Sequence, residues 1–249
     1  MDSSFKSSNS TQNALYSGYE EWKGWQKREL SEVPSATNHD YFSREMKRAK
    51  ISSGAKILEI GFGNGEFMQW AKVNGYRVSG VEIREKLYHL AKERNFSVFL
   101  GQVTDDINGL ASEFDALISF DMFEHLPKDV LIDYFRAMNR LLKHGGSVVL
   151  RFPNGQSPFG RYYQYSDLTH QNVLTGRLIG QIAGMTGFSL EGCYNAIRIH
   201  GKKRRFLKVL KYFLRDLLEL ALGHLHFGER IPLDANLTCV LVKTQGLKK

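Results

Sequence analysis

The sequence predicts an open α/β fold on a largely parallel β-sheet. Five apolar, strand-like runs between residues 56 and 152 alternate with helical segments, the pattern of a doubly wound sheet. The first run opens into a bend with three alternating glycines, Gly61, Gly63 and Gly65, and then into a helix. The first two runs each finish on an acid, Glu59 and Glu82, at the edge where such a sheet receives its ligand.

The elements follow in order. Residues 1–13 are polar and serine-rich and are expected to be disordered. Residues 14–30 place Tyr16, Tyr19, Trp22 and Trp25 at three-residue steps, one face of a helix that docks on the domain. A linker with Pro34 leads to a helix over Asp40–Lys50, with Asn38 as its cap. The five strands fall near Ile57–Ile60, Arg77–Ile83, Ser97–Leu100, Asp115–Phe120 and Gly146–Phe152. Residues 153–172 read as loop, and Val173–Met185 as a helix stopped at Gly187. Phe188–Ile199 and Leu237–Thr244 read as two further strands, and 200–236 as an insertion between them. Residues 1–37 thus form a tail and aromatic helix, and 38–249 the main domain; no internal repeat is visible.

The length of 249 residues suits one sizeable domain with additions. Two cysteines, Cys193 and Cys239, give no disulfide framework or metal cluster and read as buried thiols. The polar N-terminus has no apolar signal core, so a cytoplasmic location is expected. The formal charge is +8, yet Arg198–Arg215 alone contains eight cations and no acid. The remainder is therefore close to neutral, which argues against a nucleic-acid enzyme with a basic cleft.

The glycine bend narrows the ligand. Without Cβ atoms the backbone can pass directly beneath it. A dinucleotide site would put its pyrophosphate on the helix N-terminus, but Glu66 occupies the place of the third glycine and Glu59 precedes the bend. Two carboxylates repel a phosphate and favour a cation. S-adenosylmethionine (SAM) carries a sulfonium and an ammonium and no phosphate. Glu82 at the end of the second strand suits the ribose hydroxyls.

Four segments, ILEIGFGNGEF (57–67), VSGVEI (78–83), FDALISFDMFEHLP (114–127) and LLKHGGSVVLRFPN (141–154), make the chain similar to class I SAM-dependent methyltransferases over roughly residues 40–155. The resemblance implies a Rossmann-like seven-stranded methyltransferase sheet, mostly parallel with an antiparallel last strand, and an N-terminal helix that acts as a lid over the SAM pocket. It assigns Glu59, Gly61, Gly63 and Gly65 to the methionine end, Glu82 to the ribose, Gln102 and Val103 to the adenine, and Phe120 and Asp121 to the cleft lining. The family often has an acid where this chain has Gln102; an amide oxygen can still accept from the adenine amine.

Methyl transfer to a hydroxyl needs alignment and a base. His125, in Glu124-His125 after the fourth strand, and His170 are the base candidates, with Asp167 placed to orient His170. Helix capping by these groups is the structural alternative. Arg151, Asn154, Tyr162, Tyr163 and Tyr165 suit a hydroxyl-rich acceptor. No spacing demands a metal; Asp121, Glu124 and His170 would be the ligands of one. The segment 152–170 resembles a subgroup associated with surface-polysaccharide and O-antigen biosynthesis, which implies a sugar, nucleotide-sugar or lipid-linked glycan acceptor. A small lipid- or quinone-like acceptor is the alternative, since Glu124-His125-Leu126 suits that group too. A SAM-binding scaffold without turnover is the non-enzyme reading.

Lys203–Leu222 reads as a basic amphipathic helix, with Val209, Leu210, Phe213, Leu217 and Leu220 at steps of three and four. It is too charged to span a bilayer. Two arrangements fit: its apolar face packs on the domain or a dimer mate with the lysines exposed, or residues 202–222 lie on an anionic membrane, making the protein peripheral on the inner face.

Overall fold

The computed structural model describes residues 22, 35–105, 110–198 and 205–244. Seven strands form one sheet: β1 (Lys56–Ile60), β2 (Arg77–Glu82), β3 (Ser97–Leu100), β4 (Phe114–Phe120), β5 (Leu142–Pro153), β6 (Phe188–Asn195) and β7 (Asn236–Lys243). Their order across the sheet is β3-β2-β1-β4-β5-β7-β6. The pairings among β1 to β5 are parallel, and β7 runs antiparallel to both of its neighbours. The carboxyl ends of β1 to β5 and the start of β7 therefore share one edge, where Pro153 pairs with Asn236.

Alternation along the strands separates two core layers, as a period of two requires. Ile57, Ala116, Ile118, Val149 and Val240 face α1 (Ala36–Arg48) and α2 (Glu66–Val73), which contribute Phe42, Phe67 and Trp70. Leu58, Leu117, Val148, Leu150 and Leu241 face α4 (Leu131–Leu141) and α6 (Gly176–Met185). α3 (Glu85–Glu93) completes the first layer beside β3, with Leu87 and Ala91 against Phe96 and Val98.

Several boundaries differ from the sequence expectation. α1 starts earlier, because Ser35 rather than Asn38 is its cap: the Ser35 hydroxyl accepts from the Asn38 N–H. Asn38 sits inside the helix and its amide donates to Glu66 at 2.6 Å. The expected loop 153–172 contains a short helix, α5 (Gly160–Tyr165). α6 begins only at Gly176, where the Thr175 hydroxyl caps the Leu178 N–H. β5 begins at Leu142, which pairs with Phe114 ahead of a register shift. β6 ends at Asn195, whose side chain turns to contacts described below. Cys193 and Cys239 are cross-strand partners and both are free thiols. The aromatic lid helix expected over 14–30 lies outside the described residues apart from Trp22.

Between β6 and β7 lies α7 (Arg205–Phe227), the helix expected there, extended to a stop at Gly228 (φ +74°). No described helix is long and apolar enough to cross a membrane.

Candidate active site

The donor end is built by β1, β2 and the bend between β1 and α2. Gly61, Gly63 and Gly65 all have positive φ, at +71°, +53° and +68°, a conformation that side chains oppose. A Cβ on Gly61 would lie 2.6 Å from Met122 Cγ, so the bend packs directly against the turn after β4. Glu82 is buried, and its carboxylate accepts from the N–H groups of Gly63 (3.0 Å), Ile83 (3.0 Å) and Arg84 (3.2 Å). The glycine bend and Glu82, the acid expected on the ribose side, are thus one hydrogen-bonded unit.

Glu59 is only 4% exposed, and its Oε2 has no hydrogen-bond partner. Burial drives its carboxyl well above the ordinary carboxylate range, and the nearby Glu82 adds to this against a hydrogen bond from Met68 N–H. Burial raises Glu82 as well, against its backbone donors. Two buried acids, one with an orphaned oxygen, stand beside the glycine bend. These residues fit a cationic nucleoside such as SAM and oppose a phosphate.

At the position expected to meet adenine, Gln102 Oε1 accepts from Tyr134 Oη at 2.7 Å. This fixes the amide by a partner that sequence reasoning did not name. Val103 is 2% exposed and its side chain belongs to the main core, which leaves that side chain out of reach of a ligand.

Phe120 and Asp121, expected on the donor side, and Arg151, expected on the acceptor side, form one unit. Arg151 makes a two-pronged ion pair with Asp121, with Nε to Oδ1 at 2.9 Å. Its guanidinium lies over the rings of Phe120 (4.8 Å) and Tyr41 (5.1 Å). Asp121 itself has φ +55°, a cost that the ion pair and the Asp121 N–H bond to Arg151 O at 2.9 Å offset.

The acceptor side joins two segments far apart in sequence. The turn Phe123–His125 follows β4, and the loop 167–172 precedes α6. Glu124 O accepts from the N–H groups of Gln171 and Asn172, Asn172 Nδ2 donates to Leu126 O, and Gln171 Nε2 donates to His125 O. Within this clasp Thr169 Oγ1 donates to Asp167 Oδ1 at 2.6 Å and lies 2.9 Å from His125 Nδ1. A hydroxyl that gives its proton to Asp167 can only accept from His125. Nδ1 is therefore the donor, and in the neutral ring this puts the lone pair on Nε2, the tautomer a base requires.

The structure adds a partner to the pairing expected from sequence. Asp167 orients His125 through Thr169, a residue that sequence reasoning missed because nothing in its spacing links it to His125. His170 Nε2 stands 3.7 Å from Asp167 and 3.8 Å from Glu124, at ion-pair rather than hydrogen-bond distance. Its Nδ1 bonds Gln164 O at 3.1 Å, and its ring packs edge-on against His125 with centroids 4.7 Å apart. Glu124, His125 and His170 bring one ligand atom each to within 4.8 Å of one another, so this cluster can hold a divalent cation. Asp121, expected among such ligands, is engaged by Arg151 instead.

Asn154 also departs from expectation. It is fully buried, its amide donates to Pro232 O (3.0 Å) and Asp234 O (2.9 Å), and its N–H donates to Ala235 O (2.8 Å). A Cβ on Gly160 would meet Asn154 O at 2.1 Å. Asn154 is thus the rivet between the end of β5, the start of α5 and the approach to β7. Tyr162, Tyr163 and Tyr165 are exposed on α5, the outer wall of the acceptor loop, while Gln164 between them turns inward to Asn172 O.

A family model described as a methyltransferase domain matches residues 28–191, well over half of the chain, and the chain belongs to that family. It is a methyltransferase with the fold of SAM-dependent methyltransferases. A ubiquinone biosynthesis O-methyltransferase from Pseudomonas aeruginosa is 25% identical over 178 residues, covering 60% of this chain and 73% of the relative. Among solved structures, a SAM-dependent methyltransferase from Archaeoglobus fulgidus superposes with a TM-score of 0.60 at 18% identity, covering 82% of this chain and 94% of that one. A Burkholderia thailandensis 1,6-didemethyltoxoflavin-N1-methyltransferase with bound S-adenosylhomocysteine gives 0.62 at 12% identity, covering 98% and 92%. The structural likenesses show the fold.

Proposed function

We propose that the protein transfers the methyl group of SAM to a hydroxyl of a small lipid- or quinone-like acceptor. The observation that carries this is the His125–Thr169–Asp167 chain, set beside the glycine bend through Met122. Bound SAM supplies a methyl group already activated by its sulfonium. The chain's residues do the rest. Glu59 and Glu82 answer the charge and the ribose of the donor, and the glycine bend lets it lie close. Asp167, through Thr169, holds His125 in the tautomer whose Nε2 takes the acceptor's proton.

The name of the Pseudomonas relative supports an oxygen acceptor of quinone type. That likeness gives this reading precedence over the sugar or glycan acceptor expected from the tyrosine-rich segment. The test is to follow S-adenosylhomocysteine release from SAM with a soluble, short-tailed catechol, and separately with nucleotide sugars. Transfer to the catechol, lost in His125→Ala, is the expected result. Transfer to nucleotide sugars alone would reinstate the glycan reading.

A further inference from the structure

α7 is turned inside out relative to the other amphipathic helices. α4 buries Leu131, Tyr134, Phe135, Met138 and Leu141. α7 instead directs its charged stripe at the domain. Glu219, 4% exposed, accepts from Asn195 Nδ2 (2.5 Å), Leu233 N (3.0 Å) and Arg230 Nε (2.9 Å). Asp216 accepts from Arg198 at 2.7 Å, Arg215 pairs with Asp234, and Arg198 clasps Asp234 with two bonds of 3.1 Å. A cavity of about 460 Å³ beside the helix is lined by Arg44, Arg48, Arg198 and Arg230 with Asp216 and Glu219, and each of these arginines is already paired with a carboxylate.

The outward face is apolar. Leu207, Leu210, Phe213, Leu214, Leu217 and Leu218 follow helical steps of three and one, and each is at least 44% exposed. Both acids of the helix are spent on inward contacts, so the exposed apolar face carries no acid. Lys208 and Lys211 lie in its first turns, and the sequence supplies Lys202, Lys203, Arg204 and Arg205 at its start. A second copy of this face offers no acid to meet those cations. A sheet of anionic headgroups over acyl chains meets both features.

We infer that α7 lies on an anionic lipid bilayer, its leucine face in the acyl boundary and its N-terminal cations among the headgroups. The helix leaves β6 after Asn195 and returns to β7 before Asn236. Asn154 fastens the return segment to the start of the α5 region. α7 therefore joins the sheet at the edge that carries the glycine bend and the acceptor loop. In drawing a lipid-borne acceptor from that surface, the inference rests on the reading above; the docking itself does not.

The test is co-sedimentation of the full chain with vesicles of phosphatidylcholine alone or with about one-third phosphatidylglycerol, with and without added salt. Binding to the anionic vesicles, weakened at least roughly tenfold by raising salt from about 50 to 500 mM, is expected. Phe213→Glu with Leu217→Glu, both on the exposed face, should abolish it while donor affinity by calorimetry is unchanged. No binding at low salt, or equal binding by the double variant, would overturn the inference. So would a concentration-dependent dimer in sedimentation equilibrium that the double variant abolishes. Turnover of the soluble catechol is measured alongside: if that fails while vesicle binding holds, the acceptor reading falls and the docking stands.

Discussion

The proposed donor and acceptor ends of the cleft are made by opposite means. The donor end is contiguous: Glu59 and the three glycines span seven residues, and Glu82 closes onto Gly63 from the adjacent strand. The acceptor end is assembled from segments 44 residues apart, where His125 meets Thr169. A backbone device of the first kind tolerates no side chain and is insensitive to what surrounds it. A side-chain relay of the second kind depends on every bond that clasps its two segments. The first should fail in binding, the second in turnover.

The largest break of that contrast is Gly63→Arg. It forces a side chain at φ +53° into the bend, and calorimetry should detect no SAM binding while circular dichroism reports an intact fold. Retained binding would mean that the bend is not the donor site. Next comes His125→Ala, expected to lower kcat about 100-fold or more with the donor dissociation constant unchanged. A parallel loss of donor affinity would merge the two ends into one.

Thr169→Val sharpens the comparison, because it removes the relay hydroxyl and keeps the shape. Turnover should fall roughly tenfold, and the pH–rate profile should shift as His125 loses its fixed tautomer. A purely structural threonine would lower the melting temperature and leave the profile in place.

Glu59→Gln probes the donor end through its protons. Burial raises the Glu59 and Glu82 carboxyls, so the ligand-free folded protein holds protons that the unfolded chain has released. Its stability therefore falls as pH rises from the ordinary carboxylate value through the raised ones. Affinity for a cationic donor runs the other way and strengthens over the same window. The glutamine variant should flatten both trends, raise the ligand-free melting temperature by about 2–4 °C, and weaken SAM binding roughly tenfold. A ligand-free melting curve indifferent to pH would remove the buried charge from the account. The smallest effect on activity is expected for Asn154→Ala. It strands the Pro232 and Asp234 carbonyls, which should cost about 2–3 kcal/mol in urea unfolding and leave the acceptor KM unchanged.

The sequence by itself determined the strand alternation, the glycine bend, the two flanking acids and the insertion before the last strand. Each is a local or periodic feature, set by φ preferences and by which face of a strand is apolar. Even the amphipathic character of α7 was legible. Which of its faces points inward was not, because the charged stripe is buried only through partners on other elements, Asn195, Arg198, Arg230 and Asp234. Thr169 was unreadable for the same reason, as was the diversion of Arg151 and Asp121 to each other and of Asn154 to a structural role. Those outcomes belong to the tertiary structure: a polar side chain takes whichever partner the fold brings within 3 Å, and spacing along the chain does not encode that distance.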